Sequence, residues 1–304
     1  MFSYRHAFHA GNHADVLKHI TLIATLKHLM LKEPAITLVD THAGAGLYRL
    51  DSDYANKAGE AADGIVKIIL KSRPDTGEAI ASTVALGDYL DVIAKFNPKG
   101  TLRVYPGSPV VMQTFMRNTS RDRLKLLELH PTDNRTLNAH MAQLEAGRQI
   151  AVMLQDGFEG LRGLLPPPPS ANGSRRALVL IDPSYEIKSD YARVNACVQD
   201  SISRFPTGCY LVWYPIIARA EAHDLPRRLK ALCAQAGRPW LHATLNIGHK
   251  PLDVGMRQGM TASGMFVINP THTLQTELQT TLPVLVKLLG RGRGQGHTVE
   301  IGNA

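Results

Sequence analysis

The stretch Ile36–Gly46, Ile-Thr-Leu-Val-Asp-Thr-His-Ala-Gly-Ala-Gly, decides the fold. Its first five residues form a short apolar run of the strand type, and they lead directly into a turn that contains Gly44 and Gly46. A glycine turn after a buried strand lets backbone N–H groups approach a nucleotide-like cofactor closely. The third glycine of the dinucleotide fingerprint is absent, because Arg49 stands at its place, and this disfavours a nicotinamide cofactor more than S-adenosylmethionine. A turn without any ligand is the alternative for this stretch alone.

Strand-like segments recur along the rest of the chain, and helical stretches such as 190–204 and 220–236 separate most of them. This alternation is typical of a mostly parallel sheet covered by helices. The predicted strands after the glycine turn are 124–129, 149–155, 177–182, 209–215, 242–247 and 264–269. Between two of them, the proline-rich stretch 166–174 is predicted to be a surface loop that acts as a spacer, and the tail 290–297 is predicted to be flexible and basic.

Two helical parts complete the predicted organisation of a single domain, 1–304. Apolar residues at spacings of three and four predict a helix over 12–32 with Asn12 as its N-cap, within an N-terminal part that spans 1–33. The segment of about 52–97 has helical spacing and no clear strand, so it is predicted to be a helical insertion between the first and second strands.

Composition limits the possible classes of protein. The chain has 304 residues, 44% of them hydrophobic and 20% charged, which is close to the globular average. It contains no apolar run long enough for a membrane span and no signal peptide, and its three cysteines lack any C-x-x-C spacing. A cytoplasmic protein with reduced thiols is therefore expected. The 34 Lys and Arg residues against 26 Asp and Glu give a formal net charge of +8, which favours an anionic partner such as nucleic acid over the alternative of a merely basic soluble enzyme.

Acidic residues follow two of the predicted strands, Glu128 after one and Asp156 after the next. In an open α/β sheet the cofactor lies at the carboxyl ends of the strands, where a carboxylate can accept hydrogen bonds from ribose hydroxyl or adenine amino groups. The alternative is an ordinary polar start of a loop. Together with the glycine turn, the two acids favour a cofactor site.

The most specific signal is the strand 178–181 followed by Asp182, Pro183, Ser184 and Tyr185. An exocyclic amino nitrogen of a purine is a poor nucleophile because its lone pair is delocalised into the ring. A site that methylates it has to accept hydrogen bonds from both amino protons, and the Asp182 side chain and the Pro183 carbonyl are suited to that role. The Tyr185 ring is expected to stack on the flipped base. An ordinary turn after a strand is the alternative.

The N-terminal segment is rich in histidine, with His6, His9, His13 and His19. A metal site is disfavoured because Gly11 and Asn12 lie between His9 and His13, which therefore do not share a helix face. We expect instead that Tyr4, Arg5, His6 and Lys18 form a positively charged, partly aromatic lid over the cleft, suited to phosphates and a splayed base.

These motifs together resemble the RlmJ family, whose members are S-adenosylmethionine-dependent adenine-N6 methyltransferases of 23S (large-subunit) ribosomal RNA. The resemblance covers almost the whole chain, and the opening segment is its most specific part. The segments that carry it are 3–19, 40–46, 105–109, 128–131, 156–158 and 259–265.

The resemblance implies an α/β fold with a Rossmann-like class I methyltransferase sheet, an N-terminal helical lid and a helical insertion. It implies that Asp182 faces the target amino group and that Tyr4 contacts the RNA. It also implies a set of residues that line the S-adenosylmethionine site: His19, His42, Ser108, Glu128, Asp156, Gly157 and Asp182. The chain departs from the family motif Asp-Pro-Pro-Tyr by carrying Ser184, which removes some loop rigidity but no functional group.

The sequence thus predicts a monomeric, metal-free rRNA (adenine-N6)-methyltransferase that acts on protein-free or early precursor 23S rRNA. Other readings are methylation of DNA adenine or of a protein glutamine amide, an NAD-linked oxidoreductase, and a non-catalytic RNA-binding protein on a methyltransferase scaffold. The basic charge disfavours a protein substrate, and the missing third glycine disfavours NAD.

Overall fold

A large central sheet lies between two layers of helices in the computed structural model, which describes residues 9–50, 60–72, 83–144, 149–249 and 259–303. The strands are β1 (Thr37–Asp40), β2 (Leu47–Arg49), β3 (Val104–Pro106), β4 (Arg123–Leu127), β5 (Ile150–Met153), β6 (Ala177–Ile181), β7 (Cys209–Ile216), β8 (Trp240–Asn246), β9 (Ala262–Ile268) and β10 (Gly296–Gly302). The helices are α1 (His13–Leu29), α2 (Ile65–Lys71), α3 (Val84–Lys95), α4 (Ser108–Phe115), α5 (Pro131–Ala142), α6 (Gly157–Leu164), α7 (Ser189–Arg204), α8 (Ala220–Ala236) and α9 (Leu274–Leu289), with a 3-10 turn at Glu60–Asp63.

The eight-stranded sheet has the order β10-β8-β9-β7-β6-β1-β4-β5, and β2 and β3 form a separate antiparallel pair. Strands β5, β4, β1, β6 and β7 are parallel to one another, while β9 is antiparallel to both β7 and β8, and β10 is antiparallel to β8. The chain leaves β1 toward β4 and β5 on one side and later returns to β6 on the other side. This reversal of strand order creates a crevice at the carboxyl end of β1, the usual place for a ligand in such sheets. The predicted mostly parallel sheet is confirmed.

Strand β6 shows how the sequence builds three layers. Its five residues are all buried, as expected for a central parallel strand covered on both faces. Leu178 and Leu180 belong to one hydrophobic core, while Val179 and Ile181 belong to the core on the opposite face. The first core includes side chains of α1, α3, α4 and α9, and the second includes side chains of α6, α7 and α8.

Helix α1 differs from the expected lid. Asn12 caps it as predicted, because its side-chain oxygen accepts from the N–H groups of Ala14 and Asp15 at 3.0 and 2.9 Å. Every residue from 13 to 26 is buried, and the helix packs against the sheet and against α3 and α9. The prediction of a covering lid is therefore wrong for the helix itself, which is a core element. Residues 3–8, which precede it, lie outside the described residues.

The described part of the predicted insertion is helical, consisting of the 3-10 turn, α2 and α3. This segment lies against α1 and α9. The division of a single domain into an N-terminal part and an inserted segment stays a prediction. The three cysteines are free and buried, as expected. Among the described residues, no helix combines the length and the apolar character that a bilayer span requires.

The C-terminal tail is ordered, so the prediction of a flexible terminus is wrong. Strand β10 pairs with β8 over seven residues and forms one edge of the sheet. The turn before it is also fixed, because Arg291 N–H donates to the Ile247 carbonyl and the Arg291 guanidinium pairs with Asp63 at 2.5 Å. The strands β2 and β3, each of three residues, were also not predicted.

Candidate active site

Four acidic side chains meet at the carboxyl edge of the sheet. Asp40 ends β1, Glu128 follows β4, Asp156 lies beyond β5 and Asp182 follows β6. Three of them, Glu128, Asp156 and Asp182, line a pocket of about 330 Å³ at the crevice. The structure thus brings three acids at or after the ends of predicted strands together in one pocket.

The glycine turn and Glu128 are joined directly. The Glu128 carboxylate accepts from the Gly44 N–H through Oε2 and from the His130 N–H through Oε1, both at 2.7 Å. Gly44 has a φ of +60°, and a Cβ there would lie 2.3 Å from the Tyr48 hydroxyl, so this position requires glycine. Burial raises the pKa of Glu128. Each carboxylate oxygen keeps a second lone pair that can accept from a hydroxyl group.

Asp156 is the N-cap of α6 and is fixed from two sides. Its Oδ1 accepts from the N–H groups of Phe158 and Glu159, at 2.9 and 3.2 Å, and its Oδ2 accepts from Arg193 at 2.6 Å. Burial acts to raise the pKa of Asp156, but the bond from Arg193 and the backbone donors hold it below its usual value. Gly157 lies beside it in the pocket wall, and a Cβ there would stand 1.9 Å from the Thr41 carbonyl oxygen. The pocket depends on this close approach of two backbones.

Asp40 anchors two other predicted cofactor residues. Ser108 donates to its Oδ2 at 2.6 Å, and the His42 N–H donates to its Oδ1 at 3.2 Å. Burial raises the pKa of Asp40 to about 6. Burial also lowers the pKa of the His42 imidazole to about 4, so this ring is neutral at neutral pH, and it lies edge-on to Phe158 at 4.9 Å. Ser108 and His42 both line the pocket, although the Ser108 hydroxyl is already engaged by Asp40.

Asp182 is held by a buried cation. Lys18 Nζ lies 2.6 Å from Asp182 Oδ2 and 2.7 Å from Asp15 Oδ1, and the Lys18 side chain is only 4% exposed. Although burial acts to lower it, the two carboxylates raise the pKa of Lys18 well above its usual value, so the ammonium stays charged. Asp182 Oδ1 has no hydrogen-bond partner among the described residues. One carboxylate oxygen is thus fixed and the other remains available to a ligand.

Lys18 occupies a different place from the one expected. It was predicted to contact RNA as part of an exposed lid, whereas the structure buries it between two carboxylates at the inner wall of the pocket. The reason is the burial of α1, which carries it. Tyr4 and His6, the other predicted RNA-contacting residues, lie outside the described residues.

Two further predicted residues do not line the pocket. The Tyr185 ring is 2% exposed and packs 4.6 Å from Tyr191, and its hydroxyl donates to the Trp213 carbonyl at 2.6 Å. It belongs to the core beneath the loop and is not placed to stack on a base in this conformation. His19 is fully buried and lies against Tyr105, with its Nδ1 2.8 Å from the Tyr105 hydroxyl.

The sequence prediction missed Asp15, Asp40 and Arg193 as parts of this site. Each fixes a pocket side chain: Asp15 pairs with Lys18, Asp40 accepts from Ser108, and Arg193 donates to Asp156. The sequence does contain a signal for Asp40, because this acid is the last residue of a buried strand, just as Asp182 directly follows one. Pro183 and Ser184 line the pocket as expected from their positions. Within the described ranges, no group of three or more His, Cys, Asp or Glu residues is arranged to hold a metal ion.

Comparisons with known proteins agree with the geometry. The family model described as "Ribosomal RNA large subunit methyltransferase D, RlmJ" matches residues 33–301. The chain is 42% identical over 290 residues to the ribosomal RNA large subunit methyltransferase J of Haemophilus influenzae, which covers 95% of this chain and 94% of that protein. It is 40% identical over 296 residues to the protein of the same name from Escherichia coli, which covers 97% of this chain and 96% of that one.

Structural similarity extends over the same length. A crystal structure of the protein LPL1258 from Legionella pneumophila matches with a TM-score of 0.80 and 32% sequence identity, covering 97% of this chain and 98% of that chain. The expected resemblance is thus confirmed over nearly the entire sequence. The chain belongs to the RlmJ family of ribosomal RNA large subunit methyltransferases.

Proposed function

We propose that this protein transfers a methyl group from S-adenosylmethionine to N6 of one adenine in 23S rRNA. The observation that carries the proposal is the Asp182 carboxylate at the carboxyl end of β6, which lines the pocket with one oxygen bound to Lys18 and the other open to a ligand. Family membership supports the reaction class and the ribosomal RNA substrate.

The residues on the far side of the pocket fit a nucleoside-type cofactor. The Glu128 oxygens suit ribose hydroxyls, and they are already oriented by two backbone N–H groups. The N–H of Gly157 is not used by any described residue and lies in the pocket wall, where it suits an acceptor nitrogen of adenine. His42 and Ser108 complete this wall. When bound here, S-adenosylmethionine supplies an electrophilic methyl group.

Asp182 and Pro183 would act on the substrate amino group. A carboxylate oxygen and a backbone carbonyl can accept its two protons, so the nitrogen becomes more tetrahedral and its lone pair more available. The positive charge that develops on nitrogen is stabilised by the same two acceptors. A strong base is not needed, because the nitrogen becomes acidic only after it gains the methyl group, and the proton then leaves to Asp182 or to water.

Lys18 acts through Asp182. Its ammonium fixes Oδ2 at 2.6 Å and is itself held by Asp15, so the Asp182 carboxylate has one orientation toward the pocket. Preorganised groups of this kind cost no rearrangement during the reaction. Tyr4 and His6 are proposed to contact the RNA, as the family resemblance implies, with Tyr185 held in the core in the present conformation.

We further propose that the protein acts as a monomer in the cytoplasm on protein-free or early precursor RNA. The seven large apolar side chains exposed in the described residues lie far apart in the sequence, and two of them, Leu129 and Ile187, line the pocket. Scattered apolar residues are normal on a monomer surface. Light scattering after size exclusion tests the assembly state, and a dimer would contradict the monomer proposal.

Substitution of Asp182 tests the site directly. We expect Asp182→Ala to abolish turnover while S-adenosylmethionine binding, measured by calorimetry, weakens by much less. The reason is that Asp182 acts mainly on the amino group, whereas Glu128 and Gly157 hold the cofactor.

The matched control is Asp200→Ala. Asp200 is an ion-paired acid on α7 outside the pocket, where it contacts Arg204 at 2.8 Å. This variant should methylate at the wild-type rate. An Asp182→Ala protein with the wild-type rate would refute the role assigned to Asp182.

A further inference from the structure

A second cleft lies at the amino ends of the central parallel strands, opposite the pocket at their carboxyl ends. It has a volume of about 810 Å³ and is lined by the segment 30–37 after α1, the segment 117–123 before β4 and the proline-rich loop 168–172. Thr37 and Arg123 are paired first residues of β1 and β4, so the cleft is at the amino ends of the strands whose carboxyl ends form the active site. None of its lining residues belongs to the pocket.

The cleft is strongly basic. The segments that form and flank the cleft, 30–37, 117–123 and 168–176, contain six Lys and Arg residues and two acidic residues. Three of the six, Arg117, Arg121 and Arg123, line the cleft itself. One of the two acids, Asp122, is buried and bound by Arg117 through Nε at 2.9 Å and Nη2 at 2.7 Å. Only Glu33 is left among these segments to oppose the surrounding positive charge.

Two guanidinium groups at the cleft are fixed by backbone carbonyls. Arg117 donates to the carbonyls of Lys32 and Pro34, and Arg176 donates to the same two carbonyls and to that of Leu29. These bonds satisfy carbonyls at and beyond the C-terminus of α1, where cations are favourable. Burial and, to a smaller extent, the nearby Arg117 lower the pKa of Arg176.

Two other guanidinium groups at the cleft are not bound to backbone carbonyls of the described residues. Arg121 and Arg123 are exposed, and their side chains form no ion pair or hydrogen bond with any residue in the described part of the chain. The cleft lining also contains apolar groups that include Pro168 and Leu31, the latter 78% exposed. An unpaired arginine offers planar donors that match a phosphate, and apolar groups beside it suit the sugar or base.

We propose that this cleft binds the phosphodiester backbone of the same RNA at a place distant from the methylated adenine. The proposal rests on the proposed function, which identifies the anionic partner as RNA. The five residues of β4 span roughly 15 Å between its amino end, at the cleft, and its carboxyl end, at the pocket. An RNA that only fills the pocket would not reach Arg121 and Arg123. A longer RNA would pass around β5, the outermost strand on that side of the sheet, and contact both the pocket and the cleft.

The test is the double variant Arg121→Gln/Arg123→Gln. Its affinity for a long unmodified 23S rRNA fragment should fall roughly 10- to 30-fold near 0.1 M salt, because two phosphate contacts are lost. The slope of log affinity against log salt should become shallower by about 1.4 to 1.8 for the same reason. On this RNA, KM should rise while kcat stays at the wild-type value. On a short stem-loop that contains only the target region, both constants should equal those of the wild type.

The matched control is Arg227→Gln/Arg228→Gln, which removes the same charge from exposed side chains of α8 and should bind the long RNA with the wild-type salt slope. An Arg121→Gln/Arg123→Gln protein with wild-type affinity and slope on the long RNA would overturn the proposal, even if it lost affinity for a ribosomal protein. Failure of the wild-type protein to methylate any RNA would instead contradict the proposed function, and the binding data would still decide the role of the cleft.

Discussion

At the scale of single residues, the pocket depends on backbone contacts as much as on charged side chains. Gly157 brings the first turn of α6 against the Thr41 carbonyl, and Gly44 lets the turn after β1 donate to Glu128. The acids that the sequence indicated are present at these points, but most of their oxygens are already bound by the protein. Their role is therefore to fix the shape of the wall and to offer the lone pairs that remain.

Gly157→Ala tests this close approach. A Cβ 1.9 Å from the Thr41 carbonyl forces the two backbones apart, which should lower the free energy of unfolding by about 1–3 kcal/mol and weaken S-adenosylmethionine binding. Gly163→Ala in the same helix is the control, because no atom lies within 4 Å of its Cβ. That variant should be neutral or more stable by about 0.5–1 kcal/mol. Urea unfolding and calorimetry measure both effects, and equal behaviour of the two variants would contradict the assignment.

Asp40 provides a prediction about pH. Burial raises its pKa from 3.8 to about 6 in the folded protein, so the unfolded chain binds fewer protons between these values. The contribution of Asp40 is thus most favourable below pH 3.8 and is lost as the pH rises through 6. Asp40→Asn keeps an acceptor and removes the charge. The free energy of unfolding of the variant relative to the wild type should rise by about 1–3 kcal/mol from pH 4 to pH 7.

Urea unfolding of both proteins at the two pH values measures this difference. Subtracting the wild-type value from the variant value cancels the contribution of other titrating groups. One such group is His42, whose lowered pKa makes its own contribution favourable above pH 6.5 and lost toward pH 4. A difference that stays constant between pH 4 and pH 7 would show that burial does not disfavour the charged form of Asp40.

At the scale of elements, the sequence predicted the central strands and several helices well. The strands β4 to β9 and the helices α7 and α8 all lie at their predicted places, because long apolar runs and helical spacing are strong local signals. The strands β2, β3 and β10 gave no such signal. Two are only three residues long, and β10 is a largely exposed edge strand that follows a Gly- and Arg-rich turn.

The position of α1 could not be predicted from its composition. Its buried face includes Asp15, Lys18 and His19, residues that suggest exposure in a sequence. They tolerate burial because each has a specific partner: Asp15 and Asp182 for Lys18, and Tyr105 for His19. Such partners come from distant parts of the chain. The same limit explains why Tyr185 was expected at the base and is found against Tyr191.

Removal of β10 tests whether the C-terminal strand is part of the fold. A chain that ends at Gly290 loses seven strand pairs with β8 and the Lys230–Glu300 ion pair. The free energy of unfolding should fall by roughly 2–4 kcal/mol, and the exposed edge of β8 should promote association at high concentration. A chain that lacks only residues 303–304 is the control. Unfolding curves and light scattering that match for the two chains would contradict the structural role of β10.

At the scale of the whole molecule, the parallel strands hold the proposed catalytic pocket at their carboxyl ends and the proposed RNA-binding cleft at their amino ends. The acids at the carboxyl ends of the strands suit a cofactor and an amino group, while the arginines at the amino ends suit phosphates. The net charge of +8 is therefore not evenly spread, because acidic residues outnumber Lys and Arg around the pocket, whereas three arginines and one acidic residue line the cleft. Family membership connects the two, since a ribosomal RNA offers both a target base and a long phosphate backbone.

The most direct test of the central claim is methyl transfer by the wild-type protein. Labelled S-adenosylmethionine is incubated with protein-free 23S rRNA that lacks its native modifications, and the RNA is then digested to nucleosides and analysed. Our account predicts that the label is found in N6-methyladenosine and that Asp182→Ala protein leaves the RNA unlabelled. Label in any other nucleoside, or no label despite measurable S-adenosylmethionine binding, would contradict it.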